Sequence, residues 1–135
     1  MLETALWETH KAIFKRLSED TALLQKVTGV FDAVPEGTLY PYVTIGEPVV
    51  TPFETKTTYG ENIPWALHVY STYKGKKESY EILNLMVQAL TKAPWAVEGF
   101  KVLKVNIEPN MTVLNPAQDG FPYQGILRIR FHINN

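Results

Sequence analysis

Apolar and polar positions separate cleanly at the start of the chain. Leu2, Leu6, Thr9, Ile13 and Leu17 recur at helical spacing on one face, while Thr4, Glu8, Lys11 and Lys15 fall on the opposite one. The spacing predicts a helix from Leu2 to Leu17. Trp7, His10 and Phe14 lie along the margin of its apolar face, an aromatic edge suited to a loop, a sheet rim or a partner. Asp20 then reads as an N-cap, because a short carboxylate accepts hydrogen bonds from the orphan donors of a first turn. It opens a second, short helix from Thr21 to Val27, which Gly29 is expected to end.

The pattern next changes to period two. Pro35 and Gly37 punctuate a turn, and Pro41 delivers an extended chain into Tyr42-Val43-Thr44-Ile45, the start of a strand running to about Val50. The stretch Thr51–Asn62 is polar and threonine-rich, and its composition suits either hairpin arms or a mobile loop. A second strand covers Ile63–Ser71, with Trp65, Leu67 and Val69 on one face and Ala66, His68 and Tyr70 on the other.

Lys76 to Lys92 forms the strongest helical pattern. Its apolar residues, Tyr80, Ile82, Leu83, Leu85, Met86, Val87, Ala89 and Leu90, sweep an arc of roughly 220° at helical spacing. A surface helix needs little more than ~100°. The helix must therefore be covered on two sides, by the sheet and by either the first helix or another subunit. Pro94 stops it. A half-buried strand follows, in which Leu103, Val105 and Ile107 alternate with Val102, Lys104, Asn106 and Glu108. Asp119-Gly120 marks a turn between Pro116 and Pro122. The last strand runs from about Tyr123 to Ile133, with Leu127, Ile129, Phe131 and Ile133 toward the core and Ile126, Arg128, Arg130 and His132 away from it. The elements predict an α+β fold: a mainly antiparallel four-stranded sheet with two main helices packed on one face, in the order α-α-β-β-α-β-β. All 135 residues are expected to form one domain.

Composition narrows the function. Apolar residues make up 45% of the chain, enough for a real core. Thirteen basic and fourteen acidic side chains nearly balance, which argues against a nucleic-acid-binding domain. The absence of cysteine excludes disulfides, thiolate catalysis and sulfur-based zinc sites. No secretory leader or membrane-length apolar run is present, so a soluble protein made in a cytoplasm is expected. His10, His68 and His132 fall in three different elements without ligand spacing, and no phosphate loop or nucleophile elbow occurs. Glu47, Glu54, Glu61 and Asp119 are scattered acids. No enzymatic role, cofactor or metal is expected.

Taken in order, these pieces resemble the siphophage tail-completion proteins, also called tail-terminator or tail-to-head joining proteins. The resemblance rests on Leu17-Ser18-Glu19-Asp20-Thr21-Ala22-Leu23, Phe31-Asp32-Ala33-Val34-Pro35-Glu36-Gly37 and Tyr40-Pro41-Tyr42-Val43-Thr44-Ile45-Gly46. It continues through the threonine-rich stretch, Leu67-His68-Val69-Tyr70-Ser71, the Tyr73-Lys74-Gly75 turn, the amphipathic helix and the Gly125-Ile126-Leu127-Arg128 strand. The basic Lys76-Lys77-Glu78 helix start departs from the pattern.

The resemblance implies a ring, expected to be hexameric, on the head-proximal end of the tail tube. Its partners would be other copies of itself, the major tail tube protein and the head connector or stopper protein. DNA would pass through the ring without sequence-specific binding, and no membrane would be involved. The implied place is the head-tail joining region of the virion, reached from the host cytoplasm during assembly. The surfaces expected to serve assembly are Trp7 and Phe14, the stretch with Phe53, Glu54, Lys56, Tyr59 and Glu61, and the strand face with Arg128 and Arg130. Thr51–Asn62 is expected to order on docking. Two other readings compete: a head-side neck, adaptor or stopper protein, and a small α+β ligand-binding or catalytic domain using Trp65, His68 and Tyr70.

Overall fold

A computed structural model describes residues 3–54 and 59–134. The first helix, α1, spans Leu6–Ser18 and buries Thr9, Ile13 and Leu17, the face its spacing predicts. It begins later than expected because the Glu61 carboxylate takes the Ala5 N–H at 2.7 Å, fixing the chain just before the first turn. Leu2 lies outside the described residues. Thr9 is accommodated in the core by bonding: its hydroxyl donates to Ala5 O at 2.7 Å and accepts the Trp65 indole N–H at 3.0 Å.

The second helix, α2, is Thr21–Leu24, and Asp20 caps it by accepting the Leu23 N–H at 2.9 Å. It ends before Val27, and Gly29 does not terminate it. The N–H groups of Lys26 and Val27 both close on Leu23 O, and Thr28 N–H already donates to Pro41 O. The chain therefore enters a two-residue strand, β1 (Val30–Phe31), which the sequence pattern was too short to reveal. After the turn, where Gly37 takes the left-handed φ of +84° that its type permits, a cis Tyr40–Pro41 bond leads into β2 (Tyr42–Pro48).

The threonine-rich stretch supplies hairpin arms. β3 (Thr51–Glu54) pairs antiparallel with the start of β4 (Tyr59–Ser71), from Thr51 opposite Asn62 to Glu54 opposite Tyr59. Phe53 faces Gly60, where any Cβ would lie 2.2 Å from its ring, so the aromatic ring rests directly on the glycine backbone. The remaining elements are α3 (Lys77–Thr91), β5 (Lys101–Ile107), β6 (Thr112–Leu114) and β7 (Tyr123–Asn134).

The class is α+β, but among the described residues the sheet has seven strands, not four, and is mixed. Its order is β1-β2-β4-β7-β5, with β3 continuing the β2 side along β4 and β6 continuing the β5 side along β7. β1 runs parallel to β2 and every other pairing is antiparallel. The expected four long strands are its frame; short added strands account for the difference. In β5 the alternation also breaks. Val102 pairs with Ile133 and Lys104 with His132, so Leu103 is an extra residue and the faces exchange at that bulge. Val102, Val105 and Ile107 pack on the core, whereas Leu103, expected inside, is 48% exposed.

Residues Ile63, Trp65, Leu67 and Val69 of β4 and Leu127, Ile129, Phe131 and Ile133 of β7 form the buried sheet face. α3 lies on it and buries Ile82, Leu83, Met86, Ala89 and Leu90. Its wide apolar arc is covered by the sheet on one side and by α1 and α2 on the other, leaving Tyr80 exposed. Arg16 ties the two long helices together. Its guanidinium donates to Ala89, Leu90, Ala93 and Pro94 carbonyls at 2.8–3.3 Å and stacks 3.9 Å over the Trp95 ring. A cation at those free carbonyls also opposes the negative end of the helix dipole.

Candidate assembly interface

Three exposed regions gather the residues expected to serve assembly. The first is a groove of about 560 Å³ between α1 and residues 30–33. Trp7 and Phe14, spaced along one side of the helix, stand on its wall. Trp7 is 61% exposed and stacks on His10 at 5.4 Å, with the Lys11 ammonium 5.9 Å from its ring. Phe31 and Val30 form the opposite side, and Asp32 faces His10 at 3.9 Å. The groove is apolar between a lysine rim and a carboxylate.

The second region is the β3–β4 hairpin, whose residues behave in opposite ways. Phe53 and Glu54 are exposed, as are Thr51 and Pro52 beside them. Glu61 is 2% exposed and accepts hydrogen bonds from Ala5 N, Thr4 Oγ1 and Tyr59 Oη at 2.7, 3.2 and 3.0 Å. Its carboxylate joins the hairpin to the start of α1 inside the subunit, so it is presented to no neighbour. Lys56 lies outside the described residues.

The third is the open face of the sheet, opposite the helices. Arg130 is engaged within its own chain, donating to the Glu108 carboxylate and to Asn62 Oδ1 at 2.8 Å. Arg128, two residues back on the same face, makes no ion pair among the described residues. Toward β2 the face becomes aromatic: Tyr40 stacks on Tyr42 at 5.2 Å, and Tyr42 meets Tyr70 at 5.5 Å. His68 contacts Gln124 Nε2 through Nδ1 at 3.0 Å and approaches Glu47 at 3.8 Å. Burial holds the His68 imidazole below its usual pKa, more strongly than Glu47 raises it. Trp65 points the other way, buried against α1, so Trp65, His68 and Tyr70 do not form one ligand site. Among the described residues no cluster of three metal-ligating side chains occurs, and no helix is long and apolar enough to cross a membrane.

A fourth feature was hidden by the β5 bulge. Trp95, Val105, Ile107 and the exposed Leu103 line a second groove of about 560 Å³ beside β5, and Lys101 and Lys104 are exposed on that strand. Period-two reading sends Leu103 inward, and a bulge leaves no mark in a strand of ordinary composition. The lysines were the readable signal, since edge strands favour them.

Residues 11–134 match the family described as tail completion protein gp17. The tail completion protein gp17 of Bacillus phage SPP1 is 34% identical over 125 residues, covering 93% of this chain and 91% of that protein. A solved structure of bacteriophage SPP1 gp17 is 32% identical, covers 99% of this chain and 98% of that one, and superposes with a TM-score of 0.61. A chain from the virion of a native gene transfer agent particle is 21% identical, covers 93% of both chains and shares the fold with a TM-score of 0.83. The chain therefore belongs to the tail completion protein gp17 family, structural proteins of the phage tail and not enzymes.

Proposed function

We propose that this protein acts as a single 135-residue tail-completion domain that closes the head-proximal end of the phage tail tube as a ring. The ring, expected to be a hexamer, ends tube polymerisation and docks the tail to the head connector or stopper protein. DNA passes through its lumen without being read in sequence, and assembly takes place in the host cytoplasm. The observation that carries this reading is the family match over residues 11–134. The surface supports it: apolar side chains stand exposed in several places, at Trp7, Val49, Phe53 and Leu103, as contact surfaces require.

Deleting the gene from its phage tests the reading. The expected lysate contains filled heads and separate, over-long tails by electron microscopy. Tails of normal length joined to heads in that lysate would overturn it. Binding of the purified protein to tail tubes, and not to filled heads, is the expected second result; binding to heads alone would favour a head-side adaptor.

A further inference from the structure

The sheet is open at both ends, and its two ends differ in kind. On one side, beyond β1, the outer edge of β2 and β3 carries the exposed acids Glu47 and Glu54 and the exposed apolar residues Val49 (63%) and Phe53 (37%). On the other side β5 pairs, among the described residues, with β7 alone, and it carries the exposed bases Lys101 and Lys104 beside the Trp95–Leu103 groove. Among the described residues neither lysine has an acidic partner and Glu54 has no basic one. Glu47 is 86% exposed, and His68, 3.8 Å from it, is held toward its neutral form. Of the acids flanking β5, Glu108 is paired with Arg130, and Glu98 sits in a tight turn closed by the Val97–Phe100 bridge.

We infer that neighbouring copies of this chain meet edge to edge: the β2–β3 edge of one subunit seats Val49 and Phe53 in the Trp95–Leu103 groove of the next, with Glu47 and Glu54 against Lys101 and Lys104. The inference rests on the ring reading above and names the contact that closes the ring. Charge complementarity selects a second copy as the occupant, since the acidic edge and the basic groove belong to the same molecule. Such a contact is heterologous, and repetition by rotation generates a closed ring. It works through side chains. Pro48 and Pro52 on one edge and the Leu103 bulge on the other interrupt continuous strand pairing, the same devices that keep edges from adding copies without limit.

Charge exchange in the gene-deleted phage tests this, using plasmid-borne full-length protein. Glu47→Lys with Glu54→Lys makes both edges basic; Lys101→Glu with Lys104→Glu makes both acidic. Each double variant alone is expected to lower the titre of joined, infectious particles by about tenfold or more, because like charges then face each other at every contact. Supplied together, they should restore it, as an alternating ring with an even number of subunits matches every edge. One chain carrying all four exchanges should also restore it, whatever the subunit number. Circular dichroism of each variant reports folding, and exposed sites of this kind should leave it intact. Double variants that each complement at wild-type level overturn the edge contact, as do folded double variants that neither mixing nor the fourfold chain rescues. The ring reading stands or falls separately, on the tail lengths of the deletion itself.

Discussion

The two long central strands, β4 and β7, present the same backbone to two different environments. On the helix side, Leu67 faces Leu127 and Trp65 faces Ile129, all sealed beneath α1 and α3. On the open side, His68 faces Ile126 and Ala66 faces Arg128, on the face opposite the buried Leu67 and Leu127. Burial on the first face comes from non-directional packing, where removing a few methylenes leaves a void. The second face depends on local pairings such as Arg130 with Glu108 and Asn62. Substitutions there should therefore cost little folding free energy while changing what the surface can bind.

Phe131→Ala draws this contrast most strongly. The ring is fully buried on the helix side and packs edge-on against Trp95 at 5.1 Å. Truncation is expected to cost about 3–5 kcal/mol in urea unfolding. Arg128→Ala, on the opposite face of the same strand, should change it by less than ~0.5 kcal/mol. Comparable losses at the two positions would mean that the open face is covered in the free subunit.

Glu61→Ala tests a polar element on the covered side. Three donors converge on this buried carboxylate, including the backbone N–H that precedes α1. Leaving them unsatisfied should cost about 2–3 kcal/mol, with the earliest loss of amide protection at the start of α1 and in β3. A loss confined to the hairpin would show that α1 starts without it. Asp20→Ala comes next, at about 1 kcal/mol, through loss of the α2 cap and of the 3.1 Å Lys92 contact that joins α2 to the end of α3.

The covered face was the legible one. Period two along Leu127–Ile133 and period 3.6 along Ile82–Leu90 report a single physical fact, that one side of each element avoids water, and both held in the structure. β1 and β6 escaped because two or three residues carry no period. Leu103 was misplaced because one inserted residue breaks the alternation between Val102 and Val105, and ordinary composition does not announce it. The sites were harder still. Glu61 looked like one more surface acid in a threonine-rich stretch, and only the fold brings it to the start of α1, 56 residues earlier in sequence. Trp7 and Phe14 were readable as a margin, since a helix with a clean buried face leaves its flanking aromatics half in water.

The smallest expected effect belongs to the open face and is a matter of pH. With Gln124 Nε2 donating to it, His68 Nδ1 is the acceptor, and the ring carries its proton on Nε2, toward Glu47. Burial lowers its pKa below the ordinary 6.5, and His132 on the same face is lowered as well, by burial and by Arg130 and Lys104. Below 6.5 the unfolded chain therefore binds more protons than the folded one, so stability rises with pH in this window. It is complete above about pH 6.5 and declines as pH falls toward the depressed folded-state values. Glu47 on β2 and Arg128 on β7 act on His68, and Arg130, Lys104 and Glu108 act on His132. Thermal melts of His68→Gln should show a smaller fall between pH 7 and 5 than the parent, and His68→Gln with His132→Gln a smaller one still. Identical slopes in all three would move the titration off this face. Acid loss near pH 4 and below would remain, because the Leu23 N–H and Lys92 keep the Asp20 carboxyl below its ordinary pKa on the helix side.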